Sequence, residues 1–208
     1  IVLRHFWDGS ARLAAESVDI PVINAGDGSN QHPTQTFLDL YTIKKTKGTL
    51  DGLSVGFLRD LKYGRTVHSL AYALSYFNTK MYFFSPPNLK MPNGYISELK
   101  EKGILCYEQD DLTGVCKEID VLYCTRMQKE RFADPVEYEK VKGYCRLTKS
   151  LLEDLGVKKD LKILHPLPRV NEMDDSLDNT PYGVYFQQAR NGIPVRQAIL
   201  SSVLGAIE

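Results

Sequence analysis

Net charge is the first thing missing: 26 Lys and Arg stand against 26 Asp and Glu in a chain of 208 residues. Without an excess of either sign there is no global field to gather nucleic acid or an anionic membrane, so neither is expected as a partner. Any preference for anions must come from a few placed cations. No apolar run approaches the roughly 20 residues that span a bilayer. The four cysteines (Cys106, Cys116, Cys124, Cys145) include no C-x-x-C pair and sit near no cluster of histidines. They read as buried, reduced thiols rather than a zinc site or a disulfide framework, and point to a cytoplasmic compartment. An initiator Met and a signal-like n-region and h-region are also lacking. The opening Ile1-Val2-Leu3-Arg4-His5 reads as a strand already under way, so the start is expected to be a truncated or processed end.

What is present is an ordinary globular composition, 43% hydrophobic and 25% charged, long enough for one large domain or two small ones. Asn24-Ala25-Gly26-Asp27-Gly28-Ser29-Asn30-Gln31 reads as a polar, glycine-bearing loop. Pro33 suits the first turn of a helix. Phe37, Leu38, Leu40 and Tyr41 supply its apolar stripe, and Lys44, Lys45 and Lys47 suit its C-terminus before Gly48. The spacing predicts a helix from about 33 to 47 that could join two domains.

From residue 50 onward, strand-like and helix-like segments alternate. Strands are predicted over 53–58, 81–84, 104–107, 121–124 and 161–164. Helices are predicted over 66–77, 94–102, 112–118, 135–142, 149–155 and 195–206, the last with Pro194 near its start. Strands separated by helices of this length imply a parallel sheet with right-handed crossovers, a Rossmann-like doubly wound α/β domain.

The unusual polar segments fall after predicted strands: Arg59-Asp60-Leu61-Lys62-Tyr63-Gly64-Arg65-Thr66, Thr125-Arg126-Met127-Gln128-Lys129-Glu130-Arg131 and His165-Pro166-Leu167-Pro168-Arg169. In a parallel sheet those strand ends share one edge, so the three loops should converge on one crevice. Each carries arginine, and convergent guanidinium groups in a neutral protein suit a small ligand with more than one anionic group. The first loop has no G-x-G-x-x-G, only Gly64 among bulky cations, which makes a nicotinamide dehydrogenase a poor alternative. G-x-S-x-G, H-E-x-x-H and the P-loop are absent too, so no hydrolytic apparatus is evident. Cations, one histidine and amides suit a reaction whose burden is positioning anions and stabilising an oxyanion. Each piece also has a plainer reading. His32 could simply enter a helix, Gln128 to Arg131 could be a solvated face, and Pro166 and Pro168 could merely stop a strand. Their joint placement favours a site.

The strings Asn24 to Gly28 through His32-Pro33-Thr34-Gln35-Thr36, Asp60-Leu61-Lys62-Tyr63-Gly64-Arg65-Thr66-Val67-His68-Ser69-Leu70, Thr125-Arg126 through Gln128-Lys129-Glu130-Arg131, His165 to Arg169, and Tyr185-Phe186-Gln187-Gln188-Ala189 occur in this order along the whole chain. Together they resemble the aspartate carbamoyltransferases (aspartate transcarbamoylases), specifically the catalytic polypeptide without its N-terminal part. Ornithine carbamoyltransferases share the fold and an HPxQ segment, but carry cysteine where this chain has Pro166 and lack the Lys62-Tyr63-Gly64-Arg65 pattern.

The resemblance implies transfer of a carbamoyl group from carbamoyl phosphate to the amino group of L-aspartate, an early step of pyrimidine synthesis, with no metal or organic cofactor. It places Arg4 and His32 as catalytic groups on the carbamoyl oxygen and its oxyanion, and Gln35 on the carbamoyl amide. Arg65 takes the α-carboxylate of aspartate, and Arg126 with Gln128 takes its side-chain carboxylate. The backbone carbonyl of Leu167 faces both the amine and the carbamoyl group, and Lys62, Pro166 and Pro168 support the site. By the same resemblance residues 1–32 are the remnant of a carbamoyl phosphate domain, 33–48 an interdomain helix, 49–185 the aspartate-binding domain, and 186–208 a segment and helix returning to the first. A homotrimer is implied for the complete protein, and regulatory chains or a multifunctional fusion are possible partners. A non-catalytic dicarboxylate-binding or assembly module is the alternative of a different class.

Two departures stand out. Arg59 occupies a position where the family usually has glycine. If φ there is positive, a side chain costs of order 1 kcal/mol, and the expected effect is an added cation near the crevice. The family's serine–threonine–arginine–threonine phosphate motif, and the serine and lysine loop donated by a neighbouring subunit, are not in this sequence.

Overall fold

The computed structural model describes residues 1–132 and 134–206. The last two residues of the segment expected over 186–208 lie outside the described residues. The first elements are β1 (Val2–His5), α1 (Ser10–Glu16) and β2 (Ile23–Asp27). β1 and β2 form a two-stranded parallel pair, with Val2 opposite Ile23 and Leu3 opposite Asn24. The segment read as a loop from Asn24 is therefore strand as far as Asp27. Backbone pairing to β1 supplies the strand without apolar alternation, and Asn24 bonds locally to Gly26 N (2.7 Å) and Asp27 Oδ1 (2.8 Å). The turn is confined to Gly28, Ser29 and Asn30.

α2 (Pro33–Lys47) has the expected bounds, with Pro33 in its first turn and Gly48 closing it in the left-handed conformation at φ 77°. The Gly48 amide bonds to Lys44 O at 2.9 Å, and three lysines lie in the last turn, where the helix dipole favours them. Its packing departs from the predicted stripe. Phe37 and Tyr41 are exposed, while Thr34, Gln35, Thr36, Asp39 and Thr42 are buried beside Leu38 and Ile43. The buried face is largely polar because its partners on the final helix are polar too: Asn191 Nδ2 donates to Thr42 Oγ1 at 2.9 Å.

Then follow β3 (Ser54–Leu58), α3 (Arg65–Leu74), β4 (Lys80–Phe84), α4 (Asn93–Glu101), β5 (Leu105–Gln109), β6 (Val121–Cys124), α5 (Pro135–Val141), α6 (Lys149–Leu155), β7 (Lys162–Leu164) and α7 (Tyr185–Val203). The second sheet has the order β5-β4-β3-β6-β7, and every neighbouring pair is parallel. Strand residues alternate between two cores. Val55, Phe57, Met81, Phe83, Val121 and Tyr123 pack with Val67, Leu70 and Leu74 of α3 on one face. Leu58, Tyr82, Phe84, Leu122, Cys124 and Ile163 pack with Leu152, Leu177 and Tyr185 on the other. Burial on both faces is why these strands read as near-continuous apolar runs. Phe57, with no exposed surface and stacked 5.4 Å from Phe83, is a point where truncation to alanine would cost about 3–5 kcal/mol.

Three expectations need correction. Residues 112–118 form turns, not a helix; Gly114 adopts φ 82°, which a right-handed helix cannot accommodate. The last helix starts at Tyr185 rather than 195 and carries Pro194 inside it. Gln188 and Asn191 anchor its first turns to α2 and hold the helix through the proline. Finally, Arg59 does sit at positive φ (93°), yet its guanidinium is buried away from the crevice. It donates to Lys142 O at 2.8 Å, to Cys145 O at 3.3 Å and to Tyr144 O.

Candidate active site

The chain leaves β3 toward β4 and β5 on one side, and returns to β6 and β7 on the other. The adjacent C-terminal ends of β3 and β6 are thus the topological switch point, where strand-end loops part and leave a crevice. A cavity of about 340 Å³ opens there. It is lined by Gly64, Arg65 and Thr66 after β3, Thr125, Arg126 and Gln128 after β6, and His165, Pro166, Leu167 and Pro168 after β7. Arg4 of β1, His32 and Gln35 at the head of α2, and Arg196 of α7 complete the wall.

Asp60 ties two of these loops together. Its carboxylate, fully buried, accepts from Tyr63 N (2.9 Å) and Gln128 N (3.3 Å). Burial raises its pKa, and these N–H bonds pull the other way. The loop then turns tightly into α3 at Gly64, where a Cβ would stand 2.3 Å from Asp60 O. Any side chain there would displace the Arg65 backbone. The Arg65 guanidinium donates to Gly28 O at 3.1 Å, and Arg131 donates to the same oxygen at 3.0 Å. Gly26, at φ 117°, lies so close that a Cβ would approach Arg65 Cζ to 2.8 Å. The β1–β2 layer therefore packs directly on the Arg65 fork.

After β6, Gln128 Nε2 donates to Tyr63 O at 2.8 Å, which fixes one end of its amide. Arg126 is paired with Glu130 through both guanidinium nitrogens. After β7, His165 is almost wholly buried; its backbone N donates to Gln188 Oε1 (2.8 Å), its Nδ1 accepts from Leu167 N (2.9 Å), and its Nε2 lies 2.9 Å from Glu172 Oε1. Leu167 is held at φ 52° with a cis peptide to Pro168.

His32 is 8% exposed. Burial first, then the charges of Arg65, Arg4 and Arg196, push its pKa down to about 3. A neutral imidazole can offer one N–H to an oxyanion but is not a reservoir of acid.

Every residue expected on the substrates, namely Arg4, His32, Gln35, Arg65, Arg126, Gln128 and Leu167, lines this one cavity, as do Pro166 and Pro168. Lys62 does not. It is exposed, with Nζ over the Tyr63 ring at 5.1 Å. Arg169 also turns away, into a two-pronged pair with Asp178. Sequence reasoning gave no site role to Gly64, Thr66, Thr125, His165 or Arg196, which also line the cavity. Arg196 carries no local signal, being one arginine on a helix whose start was misplaced. The two threonines lay inside strings already singled out. Among the lining residues there are four arginines and no carboxylate, so the cavity suits a polyanionic ligand.

Fold and cavity define a doubly wound α/β protein with a cationic cavity at its switch point. Residues 51–203 match the Asp/Orn binding domain of aspartate/ornithine carbamoyltransferases, and residues 1–45 match their carbamoyl-P binding domain. The chain belongs to the aspartate/ornithine carbamoyltransferase family. It is 55% identical over 208 residues to the aspartate carbamoyltransferase catalytic subunit of Thermococcus onnurineus, covering 100% of this chain and 66% of that one. It is 56% identical over 205 residues to that of Methanopyrus kandleri, covering 99% and 66%. The catalytic subunit of M. jannaschii aspartate transcarbamoylase superposes with a TM-score of 0.88 at 54% identity, over 99% of this chain and 66% of that one. Aspartate transcarbamoylase from Trypanosoma cruzi, solved with carbamoyl phosphate and aspartate, gives a TM-score of 0.87 at 33% identity, over 96% of this chain and 63% of that one. The chain thus spans just under two thirds of the length of these relatives.

Proposed function

We propose that this chain supplies most of the site at which a carbamoyl group passes from carbamoyl phosphate to the amino group of L-aspartate, giving N-carbamoyl-L-aspartate and phosphate in pyrimidine synthesis. The observation that carries the reading is the cavity lined by Arg4, Arg65, Arg126 and Arg196 with neutral His32 and Gln35, and with no carboxylate in its wall.

The aspartate amine attacks the carbamoyl carbon, and the carbonyl oxygen becomes an oxyanion. Arg4 and the neutral His32 N–H stabilise that charge as it forms. Arg65 holds the α-carboxylate, while Arg126 and Gln128 hold the side-chain carboxylate, so the amine is oriented toward the carbon. The C–O bond to phosphate then breaks, and the departing phosphate accepts the amine proton. No side chain need shuttle it, which agrees with a His32 that does not hold a proton near neutrality. The Leu167 carbonyl faces the amine and the amide as the acceptor for their N–H groups.

The same reading carries the boundaries 1–32, 33–48, 49–185 and 186–208 for the two half-sites and their connecting segments. It also carries a homotrimer in which a neighbouring chain completes the phosphate side, and a cytoplasmic setting in keeping with four unpaired cysteines. The test is a carbamoyl aspartate assay on the complete catalytic chain, with each substrate varied. Activity with aspartate and none with ornithine is expected. Absence of carbamoyl aspartate, with either dicarboxylate binding alone or ornithine as the acceptor, overturns the reading.

A further inference from the structure

Asp39 takes no part in lining the cavity, yet the two parts of the wall that would face the carbamoyl group both lean on it. It sits one turn beyond Gln35 on α2 with no exposed surface. Its Oδ1 accepts from Gln35 Nε2 (2.9 Å) and from Gln188 Nε2 of α7 (2.6 Å), and its Oδ2 accepts from the Tyr123 hydroxyl of β6 (2.8 Å). Three elements, α2, β6 and α7, are thus joined at one carboxylate.

An ionised carboxylate can only accept. Both glutamines must therefore turn their NH2 groups inward to Asp39 and their carbonyl oxygens outward. For Gln188 the outward oxygen takes the His165 amide at 2.8 Å, which fixes where the 165–168 loop departs from β7. For Gln35 the outward oxygen is what it has to offer the cavity that it lines. A carbonyl there is an acceptor for an amide NH2; the flipped amide would present a donor and repel it. We infer that Asp39 is a positioning residue that sets the polarity of Gln35 toward the carbamoyl amide and, through Gln188, the placement of the Leu167 carbonyl. This deepens the proposed carbamoyl-transfer reading and rests on it.

Titration of Asp39 bears on the same geometry. The groups facing it are Gln35 on its own helix, Tyr123 on β6, and Gln188 and, at longer range, Arg196 on α7. Burial raises its pKa to about 7, against the pull of the bonds from Gln188, Tyr123 and Gln35. Tyr123 is pushed well above its ordinary value, chiefly by burial, so it does not titrate in the same range. Protonation on Oδ2, the oxygen that faces Tyr123, would leave Oδ1 as the acceptor of both amides, so the polarity of Gln35 should survive it.

The test uses the complete catalytic chain with Asp39→Leu, Asp39→Asn and Gln35→Ala, alone and combined. Asp39→Asn keeps an acceptor for the amides and a donor toward Tyr123, so activity within about threefold of the parent is expected at pH 8. Asp39→Leu is expected to lower kcat/KM for carbamoyl phosphate at least tenfold while changing the KM for aspartate little. Gln35→Ala should then cost far less in the leucine background than in the parent. kcat/KM for carbamoyl phosphate should follow the same pH profile through pH 7 in Asp39→Asn as in the parent. If Asp39→Leu does not fold, Asp39→Asn decides, by its kcat/KM for carbamoyl phosphate, alone and combined with Gln35→Ala. Additive losses for residues 35 and 39, or an Asp39→Asn variant more than tenfold below the parent in kcat/KM for carbamoyl phosphate, overturn the assignment. A complete parent chain without carbamoyl transfer would instead sink the proposed function.

Discussion

Arg126, in the wall of the cavity, and Glu130, four residues further on, hold each other through two contacts, with Arg126 Nη1 3.2 Å from Glu130 Oε2 and Nη2 against Oε1. The hydrogen bond raises the pKa of Arg126 and lowers that of Glu130. Glu130 holds the Nη1–Nη2 edge of the guanidinium, so a carboxylate of aspartate must either displace Glu130 from that edge or be met by the N–H groups that point away from it. Arg126→Ala in the complete chain is therefore expected to raise the aspartate requirement and lower turnover, by on the order of 2–5 kcal/mol for loss of one partner of a desolvated charge pair. Carbamoyl phosphate binding should change little. Steady-state kinetics with each substrate varied measures this, and an unchanged aspartate dependence removes Arg126 from the site.

Arg59→Gly sets two effects against each other. Glycine relieves a side chain at φ 93°, worth about 1 kcal/mol. It also strips the carbonyls of Lys142, Tyr144 and Cys145 of their donor, at roughly 1–3 kcal/mol for each left buried and unpaired. The second should win, giving a net loss on the order of 1–3 kcal/mol in a thermal or urea melt. A variant as stable as the parent would mean that water satisfies those carbonyls.

His32 makes stability depend on pH in a defined direction. In the unfolded chain its pKa is near 6.5, and in the fold it is about 3. Between these values the unfolded state binds more protons, so the His32 contribution is fully present above about pH 6.5 and drains away as pH falls toward 3. His32→Gln lacks this dependence. Its stability gap from the parent should shift by on the order of 1–2 kcal/mol between pH 7.5 and pH 5, in favour of the variant at pH 5. Paired urea melts read this directly, and a constant gap would mean that His32 titrates normally.

The 208-residue chain alone is expected to give turnover near background, with weak dicarboxylate binding at Arg65 and Arg126. The proposed function calls for a phosphate loop and a lysine from a neighbouring chain that this sequence does not contain, and each oxyanion-type donor is worth about 3–4 kcal/mol of transition-state stabilisation. Carbamoyl aspartate formation should appear only when a complementary N-terminal fragment is added. Substantial activity from the chain by itself would show that those loops are dispensable.

Most of the doubly wound sheet was legible because its strands are buried on both faces and bounded by glycine, proline and polar loops. Val55, Phe57, Val121 and Ile163 leave no other reading. The cavity was legible because strand-end loops converge by topology, whatever the side chains. Rotamer directions were not. Arg59, Lys62 and Arg169 all sit in the right loops, yet each guanidinium or amine finds its partner elsewhere, at three carbonyls, a tyrosine ring and Asp178. Nor could local pattern disclose the polar seam between α2 and α7, since Gln188 and Asn191 find their partners 149 residues away. That seam also hid the true start of α7.

The four arginines of the cavity come from four separate places: β1, the head of α3, the loop after β6, and α7. Like charges on independent elements push those elements apart, and among the ion pairs of the described residues only Arg126 of the four has a carboxylate partner, Glu130. An anion entering the cavity is then a counterion as much as a ligand, because it converts mutual repulsion among distant parts of the chain into shared attraction. Its binding should tighten the molecule as a whole, and the tightening should fade with added salt as screening does the same work without occupying the site.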